Sequence, residues 1–428
     1  MAGYVFRPGK SLGVHDEIYA KTVLLDDGED KIVIVSLDLI GFDRNTVIKI
    51  REGVKELGIN NIILAHSHTH GGPNTLAQPI AQGFDWPLNK EYVNMLPSYI
   101  VGSVKQALLN LREAKIGFGK GKVEGITINR RHPDGPTDSE LNVAKIESLD
   151  GRMMACLVNF TCHPITLGGQ NMLFTADYVY YLSELIQKWY EGSVCLFLNG
   201  AAGDINPFDW YFGNPNPKYK HSFLTAKRFG SIVGGEVIKV LENIDTTNEL
   251  NLVMNTKTIS LKKRKPPKVE EAERLLKEAL KRGNRYNKEK WDEEDHVCHI
   301  REKYSLEYDI YFAEQVLGLA KLGSGYIETE ISCVKIDDIA MVALPGEIFV
   351  ELGLDIKKKS GFKNTFVIGY ANEYIGYVPT KKAVEESGYL WKDSPANLMY
   401  GATLPSSILD ENGGEEIKMT ALDVLSKL

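Results

Sequence analysis

Nine histidines are spread over 428 residues, and three of them crowd into Ala65-His66-Ser67-His68-Thr69-His70-Gly71-Gly72-Pro73. In an extended segment, alternation predicts His66, His68 and His70 on one side. The apolar run at residues 62–65 places them at the C-terminal end of a strand, where open α/β sheets bind ligands. A lone histidine is more often a satisfied core residue, but imidazoles this close repel when protonated and gain from sharing a cation, so the spacing predicts a metal site. Asn159-Phe160-Thr161-Cys162-His163-Pro164 repeats the arrangement, with a proline stopping the strand behind the histidine. Another strand ends in Asn199-Gly200-Ala201-Ala202-Gly203-Asp204-Ile205-Asn206-Pro207, whose small residues let a ligand approach backbone amides. That loop lacks the lysine and spacing of a phosphate-binding loop. Cys162 stands beside His163 with no second feature to make it a nucleophile.

The elements that must position these residues read as an α/β fold, a mixed sheet with flanking helices and a charged helical hairpin inserted in it. Residues 23–25 and 31–37 flank Asp27-Gly28, a hairpin signature. Val47, Ile50, Val54 and Leu57 keep helical spacing, with Asn45 as expected cap and Gly58 as stop. Together with the run at 62–65 they predict a βαβ unit, and residues 154–160, 177–189 and 194–198 predict a second. About residues 262–323, Val269, Ala272, Leu276 and Ala279, then Leu306, Ile310, Ala313, Leu317 and Ala320, predict an antiparallel helical pair: a solvated insertion, or a lid or dimerisation arm. Residues 327–336 and 339–344 around Asp337-Asp338 read as a further hairpin, followed by a strand at 365–369.

Composition narrows the function classes. With 43% hydrophobic and 25% charged residues the chain fills a large core, which excludes disorder. Lys+Arg 50 against Asp+Glu 57 gives a net charge of -7, so a nucleic-acid partner is not expected. No apolar run approaches the roughly 20 residues that span a bilayer. Five cysteines (Cys156, Cys162, Cys195, Cys298, Cys333) with no CxxC pair, and an opening without a secretory leader, predict reduced thiols in a cytoplasmic protein.

Six segments occur in an order that resembles the neutral, non-lysosomal ceramidases, which are zinc-dependent amidases: His68-Thr69-His70-Gly71-Gly72-Pro73, Ile128-Asn129-Arg130, Asn159 to Pro164, Gly203-Asp204-Ile205-Asn206-Pro207, Pro345-Gly346-Glu347 and Tyr374-Ile375-Gly376-Tyr377-Val378. The similarity runs from about Gly13 to Leu404 and implies a single catalytic domain over 1–428. Carried over residue by residue, it implies one Zn2+ per chain held by His68, His163, Glu347 and Tyr377. It makes His70 the acid/base histidine, and Arg130 and Tyr389 contacts of the substrate's polar group. Asp204 and Asn206 fall in a matching segment as residues that touch substrate or support the ligands. Asp38, closing its own strand, either orients a ligand histidine or caps backbone. The expected departures from the family are Asn206, where the family has serine, and no C-terminal immunoglobulin-like domain, secretory signal or Asp-Ile-Thr-Pro-type strand within the given sequence, whose start is expected to be truncated.

An open zinc site of this kind activates water near neutral pH. The expectation is therefore a zinc hydrolase that cleaves a carboxamide in an N-acylated amine. Two alternatives stay open: hydrolysis of an ester, lactone or glycosidic bond in a small polar substrate, and a non-catalytic metal-dependent carbohydrate or lipid binder. The expected partner is a small molecule, and the sequence does not give the oligomeric state. Aromatics mixed with polar residues at 84–87 and 207–215 favour a substrate smaller or more polar than ceramide.

Overall fold

A computed structural model describes residues 1–4, 7, 10–76, 88–208, 220–283, 306–404 and 406–428. Three sheets carry the architecture, and helices cover them. In the first, strand Ala20–Asp26 runs antiparallel to Lys31–Leu37, which pairs in parallel with Asn61–His66. The middle strand is buried on both faces. Val33, Val35 and Leu37 pack with Val47, Ile50 and Val54 of helix Arg44–Lys55, whereas Ile32 and Ile34 join Leu196, Leu198, Met341 and Phe366. Successive side chains of a strand point to opposite faces, so this one run of β-branched residues serves two cores.

The expected βαβ unit is present, but its cap is Asp43, whose carboxylate accepts Thr46 N–H. Asn45 lies one residue inside the helix, past the position from which a side chain can reach those amides. In the second βαβ unit, Met153–Phe160 and Val194–Asn199 pair in parallel around helix Tyr178–Trp189. Their sheet extends antiparallel through Glu140–Ser148 to Ala114–Lys122. The third sheet orders Leu252–Lys262, Tyr326–Ile336, Ile339–Ala343 and Asn364–Ile368, with the last pair parallel. Asp337 adopts φ 54° in the tight turn of the expected hairpin.

The strand ends of all three sheets are tied together. Tyr370 O accepts from His66 N–H, Asn199 Nδ2 donates to Ser67 O, Gly369 N–H donates to Asn199 O, and Asn159 Nδ2 donates to Val367 O. Loops from distant parts of the chain therefore leave the sheets at one place.

Helices Val269–Gly283 and Leu306–Leu322 form the expected pair. Their shared apolar face, including Ala272, Ala279, Phe312 and Val316, is packed against Leu390, Trp391, Met399 and Leu404. The pair is thus docked on its own chain. Among the described residues no helix is long and apolar enough to cross a membrane. The four described cysteines are free and buried, and Cys298 lies outside the described residues.

Candidate metal centre

Alternation does not continue past His66. The strand ends there, and the chain turns so sharply that His68 takes φ 65°. His66 stays in the core, its Nδ1 on Tyr370 O at 2.7 Å and its ring edge-on to Phe42. The expected same-side triplet is therefore corrected: His163, from the neighbouring sheet, takes the third place beside His68 and His70. Each of these three offers a ring nitrogen within 4.8 Å of the others.

Backbone carbonyls fix two of the rings. Ile40 O lies 2.8 Å from His68 Nδ1 and Ile205 O lies 3.2 Å from His163 Nδ1. A carbonyl can only accept, so Nδ1 is the donor in each ring and Nε2 is the atom turned toward the centre, where a cation would take its lone pair. Both Nε2 atoms face one carboxylate oxygen, Glu347 Oε2, at 3.6 and 3.0 Å. Burial alone would raise the Glu347 carboxyl, but its close pairing with His68 and His163, with Arg130 beyond, holds it well below the usual carboxylate range. Burial also lowers His68 to about 4 and His70 well below its ordinary value, so both are neutral at neutral pH. Neutral imidazoles around an ionised carboxylate are a donor set that suits a divalent cation.

Glu347 heads a two-residue strand paired in parallel with Tyr377–Val378, which places Tyr377 directly alongside it. Burial raises the Tyr377 phenol, and Glu347 adds to this while Arg130 opposes it. That phenol is neutral until a cation draws its proton off. Arg130 follows Asn129 on the strand paired with Ile205–Asn206. Its guanidinium donates to Gly203 O at 2.5 Å and lies 5.1 Å from the centre of the Tyr377 ring.

Two aromatic residues of the centre escaped sequence reasoning. Tyr374 donates to Glu347 Oε1 at 2.6 Å and lies nearly parallel to His68, while Tyr370 stacks on His68 at 4.1 Å. Tyr370 takes φ 53°, an uncommon conformation for a bulky residue, and its buried hydroxyl has no partner among the described residues. Tyr374 stood inside a quoted motif, so a signal was available; Tyr370 had none.

The remaining expected residues divide. Asp204 is buried within the supporting frame, accepting from Val350 N–H and from Asn129 Nδ2. Asn206 is buried beside Ile205, with both polar side-chain atoms unpartnered among the described residues. Asp38 accepts Tyr19 N–H and orients neither ligand histidine, because backbone carbonyls already do so; it caps. Tyr389 is not brought to the centre. It is 42% exposed and its hydroxyl donates to Lys265 O, because Leu390 and Trp391 dock on the helical pair and turn it that way. Cys162 is fully buried and burial raises its thiol well above the usual range, so it holds no thiolate. Of the aromatic segments, 84–87 and 209–215 lie outside the described residues.

Residues 1–208 match the family model of the neutral/alkaline non-lysosomal ceramidase N-terminal region. Neutral ceramidase from Pseudomonas aeruginosa is 23% identical over 275 residues, 57% of this chain and 41% of that protein. Neutral ceramidase B from Dictyostelium discoideum is 25% identical over 237 residues, 50% of this chain and 32% of that protein. The matches thus span less than half the length of these curated relatives. A solved ceramidase complexed with C2 superposes with a TM-score of 0.72 at 15% identity, covering 99% of this chain and 71% of that one. The crystal structure of the Pseudomonas aeruginosa neutral ceramidase gives a TM-score of 0.69 at 17% identity, covering 100% and 72%.

Proposed function

We propose, from the match of residues 1–208 to the neutral/alkaline non-lysosomal ceramidase family model and the fold shared with solved ceramidases, that this chain is a metal-dependent hydrolase of the carboxamide in an N-acylated amine. One observation carries the reading. His68 and His163, each oriented by a backbone carbonyl, aim their free nitrogens at the Glu347 carboxylate beside a neutral His70.

His68, His163 and Glu347 would hold the cation, with Tyr377 completing the set; zinc is the proposed metal, one per chain. A zinc ion there would polarise the amide carbonyl and make water nucleophilic near neutral pH. The protein's own groups do the rest. Arg130, pinned by Gly203 O, keeps a fixed positive charge beside the centre, where it stabilises the oxyanion that forms as the carbonyl is attacked. His70, kept neutral by burial, accepts a proton and returns it to the departing amine. Tyr370, stacked on His68, has a buried hydroxyl with no partner among the described residues, which a bound substrate would supply. Tyr389 has no part in this scheme.

The relatives are named ceramidases, so a long-chain ceramide and short N-acyl amines form the test panel. Purified protein is assayed on both with and without chelation, and its metal is measured. Zinc near one per chain, with amide cleavage that chelation abolishes and zinc restores, supports the reading. Metal-free protein that cleaves amides equally well, or metallated protein that cleaves only esters or lactones, refutes it. The ratio of kcat/KM between the two substrate classes decides whether a smaller, more polar amide is preferred. A cytoplasmic location is proposed alongside, and cell fractionation tests it.

A further inference from the structure

His70 differs from its two neighbours in what holds it. His68 and His163 are each fixed by a hydrogen bond to a carbonyl, whereas neither ring nitrogen of His70 has a partner among the described residues. A group that transfers a proton must still be aimed within fractions of an ångström. Besides the edge-on rings of His68 and His163, what touches the ring is the start of the described chain. Tyr4 packs edge-on against it, centroids 4.9 Å apart at 76°. Gly3 passes so close that a Cβ there would sit 2.2 Å from His70 Cγ and 2.4 Å from Nδ1.

That segment is itself anchored. Ala2 N–H donates to Gly72 O, and Ala2 is buried with Ile40, Leu76 and Tyr374. Arg7 donates to His70 O at 2.6 Å, to Ala2 O and to Asn171 O, stapling the segment to the backbone on either side of the ring. Gly3 takes φ +89°, so glycine is required there both by backbone conformation and by the His70 ring above it.

We propose that Gly3 and Tyr4 are positioning residues for His70: they aim by steric contact a proton-transfer ring that no hydrogen bond among the described residues aims. The proposal rests on the hydrolase reading for its kinetic consequence but not for its structural one, and the test separates the two. Gly3→Ala and Tyr4→Ala are compared with wild type in the zinc-loaded protein, with Gly28→Ala as the control. Gly28 has φ +94° and nothing within 4 Å of its would-be Cβ, so it reproduces the backbone strain without the contact.

Two readouts are taken: kcat and KM on the best amide substrate, and the 13Cε1 signal of His70 in histidine-labelled protein, assigned by its loss in His70→Ala. The expected result is a kcat lower by about 10- to 100-fold with KM within about threefold and zinc retained, as a misplacement near 1 Å would produce. The His70 signal should shift in both variants and stay put in Gly28→Ala. Tyr4→Phe should recover most of the rate lost in Tyr4→Ala, since the contact is through the ring edge. An unmoved His70 signal in both Gly3→Ala and Tyr4→Ala overturns the proposal, whatever the activity. A shifted signal in a protein that hydrolyses no amide would uphold it while sinking the hydrolase reading.

Discussion

Tyr374→Phe removes one oxygen atom from the support of the proposed metal ligand Glu347 and leaves the ring in place. In the native chain that hydroxyl donates to Glu347 Oε1 at 2.6 Å, while Oε2 faces the two histidines. The ring lies 6.0 Å from the His68 ring at 15°, a packing that phenylalanine keeps. Burial and Glu347 itself raise the phenol far above its ordinary value, so it donates at any working pH. A hydrogen bond to an ionised, buried acceptor is worth about 1.5–3 kcal/mol. At about 1.4 kcal/mol per decade this becomes a roughly 10- to 100-fold weaker metal affinity, if the cost falls on binding. Mutations of groups that support metal ligands also lose about 10- to 100-fold, so the two estimates agree. The assay is a competition titration of zinc against a chelator of known affinity at pH 7, with kcat then measured under saturating metal. A zinc affinity within twofold of wild type would refute the reasoning, because Glu347 would then not need this partner to serve as a ligand.

Other variants probe the remaining parts of the site and its frame. His163→Ala should lose zinc without unfolding, as measured by elemental analysis and circular dichroism, whereas His70→Ala should keep zinc and lose about 10²–10⁴ in kcat. Zinc loss from His70→Ala would exchange the roles of His68 and His70. Asn206→Ala should leave Tm unchanged or higher, since it removes two buried polar atoms that have no partner among the described residues and cost about 1–3 kcal/mol when unsatisfied, while raising KM; a fall in Tm would show that these atoms are paired in solution. Burial raises the Asp177 carboxyl to about 6, against 3.8 in the unfolded chain, so the folded form favours the proton. That contribution is full below the unfolded value and is lost as pH rises through 6, on the order of 3 kcal/mol by pH 7. Asp177→Asn keeps an oxygen acceptor for Tyr178 N–H at a φ of 60° that asparagine adopts readily. Its Tm should therefore gain on wild type between about pH 4 and pH 7, and a constant difference would contradict the assignment.

What the sequence determined by itself is the set of short-range features. Alternation and 3.6-residue spacing lie within single elements, so the two βαβ units, the hairpin at Asp27-Gly28 and the paired helices were legible from residue types alone. So were the motifs that carry His68, His70 and His163, because each lies at or just past a strand end within a few residues of a turn signal, whereas Glu347 came from the family resemblance. Everything that depends on which loop meets which was decided by the tertiary structure. His66 and His68 look equivalent in the sequence, yet one stays beside Phe42 and the other, also buried, turns toward the metal centre at φ 65°, because Tyr370 O and Ile40 O claim different rings. Asp38 and Tyr389 carry groups fit for the site, but backbone partners at Tyr19 and Lys265 take them. Tyr370 and the cover of Gly3 and Tyr4 over His70 left no mark on local pattern. A hydrogen bond or ring contact between residues 66 to 304 positions apart is fixed by how three sheets stack their strand ends, and periodicity along the chain holds no record of it.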